Sequence, residues 1–180
     1  MRFQPLAVSA IALAPAAALA VDYLNADQAA KALFPDAERF EAREITLDAA
    51  QMKRLEEQGV KARSARWPVR AALKGGATLG WVVVDDVVGK FELITYAVGL
   101  QADGAVKGIE VLSYRESHGH EIRLPAWRRQ FVGKTAAAPL KVGEDIANIS
   151  GATLSCQHVT DGVRRIVAVV DLARRGGWPG

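Results

Sequence analysis

SGATLSCQHVTDGVRRIVAVVDL, residues 150–172, carries two signals in one stretch. Val159, Val163, Ile166 and Val170 recur at helical spacing, so the run predicts a long helix that lays this face on a core. Its start falls at Ser150-Gly151-Ala152-Thr153, directly after the polar stretch Lys141 to Asn148. Thr153 therefore presents a hydroxyl in the first helical turn. Unpaired N–H groups and the positive end of the helix dipole make that position a ready site for a phosphate. A plainer reading of the tetrapeptide is a helix start, with Ser150 as N-cap and Gly151 as spacer. Gly176-Gly177 closes the helix, and the tail beyond is expected to be loose.

Upstream the period changes. Val69 to Leu73, Gly75-Gly76 and Thr78 to Val84 read as a hairpin. Val87 to Lys90 is a turn region leading into Phe91 to Leu100, rich in β-branched and aromatic residues. Asp103-Gly104 then turns the chain into Val106 to Tyr114. Four short strands in succession predict an antiparallel sheet. Ahead of them, a helix over Ala26 to Leu33 has Asn25 or Asp27 as cap and is ended by Phe34-Pro35. A second helix is expected from Thr46 or Asp48 to Gln58, capped by Thr46 and stopped by Gly59. Its sparse apolar positions place it on the surface. Arg115 to Glu121 reads as a polar loop, and Leu124 to Val132 as a short helix with Trp127 and Phe131 on one side. The fold class is α+β: an antiparallel sheet of short strands, N-terminal helices, and a C-terminal helix that starts at Ser150-Gly151-Ala152-Thr153.

Residues 1–20 read as an export signal: Arg2, an apolar run from Leu6 to Leu19, and Ala18-Leu19-Ala20 as a cleavage site. Residues 21–180 then form a single domain, periplasmic or otherwise exported, with an uncleaved membrane anchor as the alternative. The formal net charge of +3 is too balanced to indicate a nucleic-acid partner. One cysteine, Cys156, excludes an internal disulfide and any paired-cysteine redox or iron–sulfur motif. Electron handling by this chain therefore needs an organic cofactor or a partner.

Several ordered stretches carry a resemblance. Phe34-Pro35-Asp36 comes first, followed by the paired strands Ile94 to Leu112 around a glycine turn. Glu116-Ser117-His118-Gly119 has the pattern Glu-x-x-Gly. Trp127-Arg128-Arg129-Gln130-Phe131-Val132-Gly133-Lys134 has the pattern aromatic-x-x-Gln-Phe-x-Gly-Lys, and Ser150-Gly151-Ala152-Thr153 closes the series. In this order, across Leu33 to Leu172, the chain resembles the FMN-binding domain family. That family includes small subunits of sodium- and proton-pumping NADH:quinone and ferredoxin:NAD oxidoreductases. Two positions depart from its pattern: Ala147 stands where many members carry an acid, with Asp145 nearest, and Ser117-His118 stands where Thr-Pro is usual.

The resemblance implies FMN joined to Thr153 by a phosphoester, placed there by a flavin transferase that takes it from FAD. It further implies that Glu116 and Gly119 line the isoalloxazine ring. The expected cofactor-binding set is Thr153, Ser150, Gly151, Ala152, Ser155, Glu116, Ser117, His118 and Gly119. Threonine is a weak nucleophile without an activating base, and no Ser-His-Asp arrangement surrounds Thr153, which fits a modification made by another enzyme. Trp81 and Trp127 are candidates to stack on flavin, although aromatics in a chain this size are usually core. Cys156, one turn beyond Thr153, reads as a small buried hydrophobe, and His158 as structural or exposed. The expected function is an electron carrier with redox partner proteins, some of them membrane-bound, and no independent turnover. Its rivals are a small periplasmic FMN-dependent reductase and a non-redox binding module whose motif is only a helix cap.

Overall fold

A computed structural model describes residues 21–178. Six strands form one antiparallel sheet in the order β1-β6-β5-β4-β3-β2. They are β1 (Val21–Asp22), β2 (Arg39–Thr46), β3 (Arg66–Lys74), β4 (Ala77–Val88), β5 (Leu93–Gln101) and β6 (Val106–Tyr114). The helices are α1 (Ala26–Leu33), α2 (Ala49–Glu57), the short α3 (Pro125–Arg128) and the long α4 (Thr153–Arg175). The architecture is α+β, with helices on both faces of the sheet. The export signal expected over residues 1–20 lies outside the described residues.

Period-two alternation divides the strands between two cores. Trp81, Val83, Val87, Ile94, Tyr96, Val98 and Leu100 point to the face covered by α4, where Val159, Val163, Ile166 and Val170 meet them fully buried. Val82, Ala97 and Leu112 point the other way, into a smaller cluster closed by Leu33 and Phe34 of α1 and its end. The helical face read from the sequence is thus the one that builds the main core.

A bulge changes the alternation near the end of β6. Tyr96 pairs with Val111 while Thr95 pairs with Ser113, leaving Leu112 as the extra residue. Val111 and Tyr114 therefore share the α4 side of the sheet, with Leu112 on the other. Tyr114 reaches the first turn of α4 because of this one-residue insertion.

Several boundaries differ from the sequence reading. β2 has no counterpart in that reading, because its alternating charges make it look like a loop. It is an edge strand whose Arg39 and Arg43 pair with Glu41 (2.9 and 2.5 Å), a charged edge that discourages pairing with another chain. Thr46 ends β2, so the cap of α2 is Asp48, in a reciprocal box with Gln51 (2.7 and 2.9 Å). Asn25 and Gln28 build the same box at α1. The segment read as one helix over Leu124 to Val132 is α3 followed by a single 3-10 turn over Arg129–Phe131. Trp127 and Phe131 still meet edge to face, with centroids 5.0 Å apart. The tail is not loose at Trp178, which packs on Trp81 (5.5 Å) and donates its indole N–H to the Glu44 carbonyl (3.1 Å).

Gly162 sets how closely α4 approaches the sheet. A Cβ there would lie 1.9 Å from the Tyr96 hydroxyl oxygen and 2.8 Å from Cζ of the same ring. That hydroxyl donates to Asp85 (3.1 Å), which also accepts from Arg165 of α4 (2.9 Å), so the ring has little room to retreat. Helix propensity alone predicts that Gly162→Ala stabilises by about 1 kcal/mol. The packing predicts the opposite sign, a net loss of about 1–3 kcal/mol in denaturant unfolding.

Candidate functional site

The first turn of α4 is open. Its N-cap is Ala152, which has no side chain able to accept from the first-turn N–H groups, and no side-chain cap is present. Ser150 does not act as the cap. The preceding turn is made by Gly151 at φ +82°, with the Ala152 N–H donating to the Ile149 carbonyl (3.0 Å). A helix of 23 residues thus begins at Thr153 with its N–H donors directed outward and its dipole uncompensated. The Thr153 hydroxyl oxygen accepts from the Asn148 side-chain amide (3.0 Å).

Beside this turn lies a cavity of about 370 Å³, walled by Gly151 to Ser155, by Glu116, Ser117 and His118, and by Lys90 and Phe91. Its size falls within the range of small-molecule sites. Three chain segments remote in sequence converge on it. The loop after β6 is held by Tyr114, whose hydroxyl donates to the His118 carbonyl and stands 3.2 Å from Ser155 Oγ. Burial pushes the Tyr114 phenol above its ordinary range, against the opposing hydrogen bond with Ser155. Gly119, at φ +88°, lies behind Ala152: a Cβ there would sit 2.3 Å from the Ala152 methyl. Loop and helix start therefore interlock through two small residues.

Glu116 is buried, yet it is held as a carboxylate. Burial pushes its pKa up. The backbone N–H groups of Glu92, Phe91 and Lys90, with the Lys90 charge, outweigh that and bring it below the usual 4.5. Its Oε1 accepts from Phe91 N (2.6 Å) and Glu92 N (3.0 Å). A Cβ on Gly89 would lie 2.5 Å from that oxygen, so the carboxylate occupies the space a larger residue would need. From the other side His158 of α4 donates its Nδ1–H to the Val88 carbonyl (2.5 Å). The 89–92 turn is pinned by β6's loop and by α4 at once.

The irregular segment 134–149 delivers Asn148. Asp145 organises it, accepting from Lys134 Nζ (2.8 Å), Lys141 N (2.8 Å) and Leu140 N (3.2 Å). Burial pushes the Asp145 carboxyl up, but Lys134 and the two backbone donors hold it below its ordinary value. Further along, the Ala147 carbonyl accepts from the Trp127 indole (2.8 Å) and its N–H donates to Gln130 (2.7 Å). Trp127 and Gln130 of the aromatic-x-x-Gln-Phe stretch thus secure the approach to Thr153.

Of the residues read from the sequence, Thr153, Gly151, Ala152, Ser155, Glu116, Ser117 and His118 come together on this cavity. Ser150 is exposed and lies outside the wall, and Gly119 backs the wall from behind Ala152. The Ser117 hydroxyl and His118 Nδ1 pair with each other (2.9 Å). Trp81 and Trp127 belong to the core instead. Cys156 is fully buried, and burial pushes its thiol up, so it packs as a small hydrophobe. Asn148, Lys90 and Phe91 are the site residues that sequence reasoning missed. An uncapped helix start, an exposed hydroxyl and an adjoining ring-sized cavity together fit a phosphate that carries a flat heterocycle.

The comparisons agree with that class of ligand. Residues 89–168 match the model of the FMN-binding domain family, and this segment contains the whole cavity wall. The chain is 32% identical over 111 residues to a component of the ion-translocating oxidoreductase complex of Aliivibrio fischeri, covering 54% of this chain and 51% of that protein. It is 29% identical over 106 residues to a component of the Na(+)-translocating ferredoxin:NAD(+) oxidoreductase complex of Acetobacterium woodii, covering 54% and 47%. It therefore spans about half the length of the curated relatives it matches. The fold is similar to that of a component of the Na(+)-translocating NADH-quinone reductase from Parabacteroides distasonis. The TM-score is 0.51 at 17% identity, over 74% of this chain and 77% of that one.

Glu116→Gln should destabilise the protein at neutral pH by about 1–3 kcal/mol, the worth of hydrogen bonds to a buried charged group. The sign with pH follows from the lowered pKa. The ionised carboxylate contributes fully above its unfolded value of about 4.5, and that contribution is lost as pH falls through the lower folded value. Unfolding curves of wild type and E116Q should therefore converge as the pH drops below about 4.5.

Proposed function

We propose that this chain is an exported flavoprotein that carries FMN through a phosphoester on Thr153 and passes electrons within a membrane-associated redox chain. One observation supports it most: a long helix in an FMN-binding domain starts uncapped, with a threonine hydroxyl at its first position facing a cavity. Bound FMN supplies the redox chemistry, and the protein's residues orient it and set its surroundings.

Each part of the site has a role in this reading. The first-turn N–H groups and the helix dipole would hold the phosphate, an attraction worth about 0.3–1 kcal/mol and up to about 2 when partly buried. The Asn148 amide, a donor to Thr153 Oγ1, would help hold an ester formed on that oxygen. Ser117 and His118 of the cavity wall would stand against the ring. The hydrogen-bond partner of the Thr153 hydroxyl is a donor and not a base, so the chain does not activate its own nucleophile. Attachment falls to an FAD-dependent flavin transferase, which supplies the base and releases AMP as the leaving group of the exchange.

Export rests on the signal-like residues 1–20. No helix among the described residues is long and apolar enough to cross a membrane. The named relatives are subunits of ion-translocating complexes, which supports membrane-bound redox partners for this chain as well.

Co-expression with a flavin transferase tests the attachment. Wild type should keep flavin fluorescence through denaturing electrophoresis, and Thr153→Ala, folded by circular dichroism, should show none. A fluorescent T153A band, or a dark wild-type band beside an active transferase, contradicts the reading.

A further inference from the structure

We propose that Phe91 is the ring-stacking residue of the flavin pocket and that Glu116 is the positioning residue that holds it there. The inference rests on the flavin reading above and deepens it. Phe91 is 74% exposed while lying on the cavity wall. Among the described residues every other phenylalanine, tyrosine and tryptophan is buried or half-buried. An aromatic left in water forfeits the burial that drives folding, and a flat ligand in the cavity beside it would restore that burial.

The backbone beneath Phe91 is fixed to an unusual degree. One carboxylate oxygen of Glu116 holds the N–H groups of Phe91 and Glu92, in space left free by Gly89. His158 secures the Val88 carbonyl just before the turn. Rigid backbone beneath an exposed ring is the arrangement of a preorganised contact, since little conformational freedom remains to be lost on binding. Lys90 Nζ stands 4.8 Å from the Phe91 ring centroid, over one face of the phenyl group. The opposite face is left for the isoalloxazine, which stacks on a phenyl ring in offset geometry. Glu116 acts through the turn and not on the flavin itself.

The test uses the full chain co-expressed with a flavin transferase, as wild type, Phe91→Trp and the double variant Phe91→Trp/Glu116→Gln. Emission is read per bound flavin, normalised by visible absorbance, and intact mass is measured on the same samples. A stacked indole quenches flavin emission far more than a phenyl ring does. Phe91→Trp should therefore lose most of the wild-type emission, and the double variant should regain a large part of it. Should Phe91→Trp not fold, Phe91→Tyr supplies a phenol that also quenches. Emission per flavin equal to wild type in the tryptophan or tyrosine variant overturns the proposal. So does Phe91→Ala with unchanged flavin spectra but slower reduction by a protein donor, which would make Phe91 a docking residue for a partner. Quenching without a mass gain, after adding free FMN, would keep the stacking and remove the covalent link. A chain that takes up no FMN by either route overturns both.

Discussion

The close approach of α4 to the sheet is the constraint on which the site depends. Gly162 lies against the Tyr96 ring, whose hydroxyl is held by Asp85, and Asp85 in turn holds Arg165 on the next turn of the same helix. This fixes α4 in height and in rotation over β4 and β5. Once that register is set, the positions of its N-terminal residues follow. Ser155 meets Tyr114, His158 meets the end of β4, and Thr153 opens onto the space between them. A long helix also brings its dipole to that point without a capping side chain to satisfy it. The candidate site is in this sense the uncompensated end of the element that builds the core.

Loops that would otherwise be free to wander are each tied to this end by a buried or half-buried polar group. Glu116 holds the 89–92 turn, Tyr114 holds the 115–119 loop, and Asp145 holds the segment leading to Asn148. Glu116 and Asp145 both sit below their ordinary pKa because backbone N–H donors, with lysine, overcome the cost of burial. Carboxylates that accept from backbone are well suited to shaping irregular chain, since they satisfy donors that no strand or helix would reach. The electrostatics of the site therefore serve its shape, and none of these groups is left as a base beside Thr153.

Much of this was legible in the sequence because it depended on periodicity or on local turn chemistry. The face of α4, the succession of strands from β3 to β6 and the position of Thr153 all follow from spacing. What escaped were features that arise only in three dimensions. β2 alternates charge where a strand usually alternates apolarity, because as an edge strand it has little to bury. Phe91 stands in a continuous β-favouring run, yet Glu116 draws its backbone into a turn and β5 begins at Leu93. The extra residue Leu112, which swings Tyr114 toward α4, leaves no mark in the pattern of residue types. Asn148 looked like the end of a polar stretch until the chain folded it back on Thr153.

The comparisons reach the same place by another route, since the matched FMN-binding domain runs from the 89–92 turn through most of α4. The α1, β2 and α2 region lies outside that match and supplies packing and a charged edge. In the proposed function the hydroxyl at the open end of α4 carries the flavin. Intact mass of the exported protein, made with an active flavin transferase and followed by peptide mapping, tests it most directly. The expected result is a gain equal to FMN less one water, located on Thr153. An unmodified mass, or the same gain on any other residue, would contradict it.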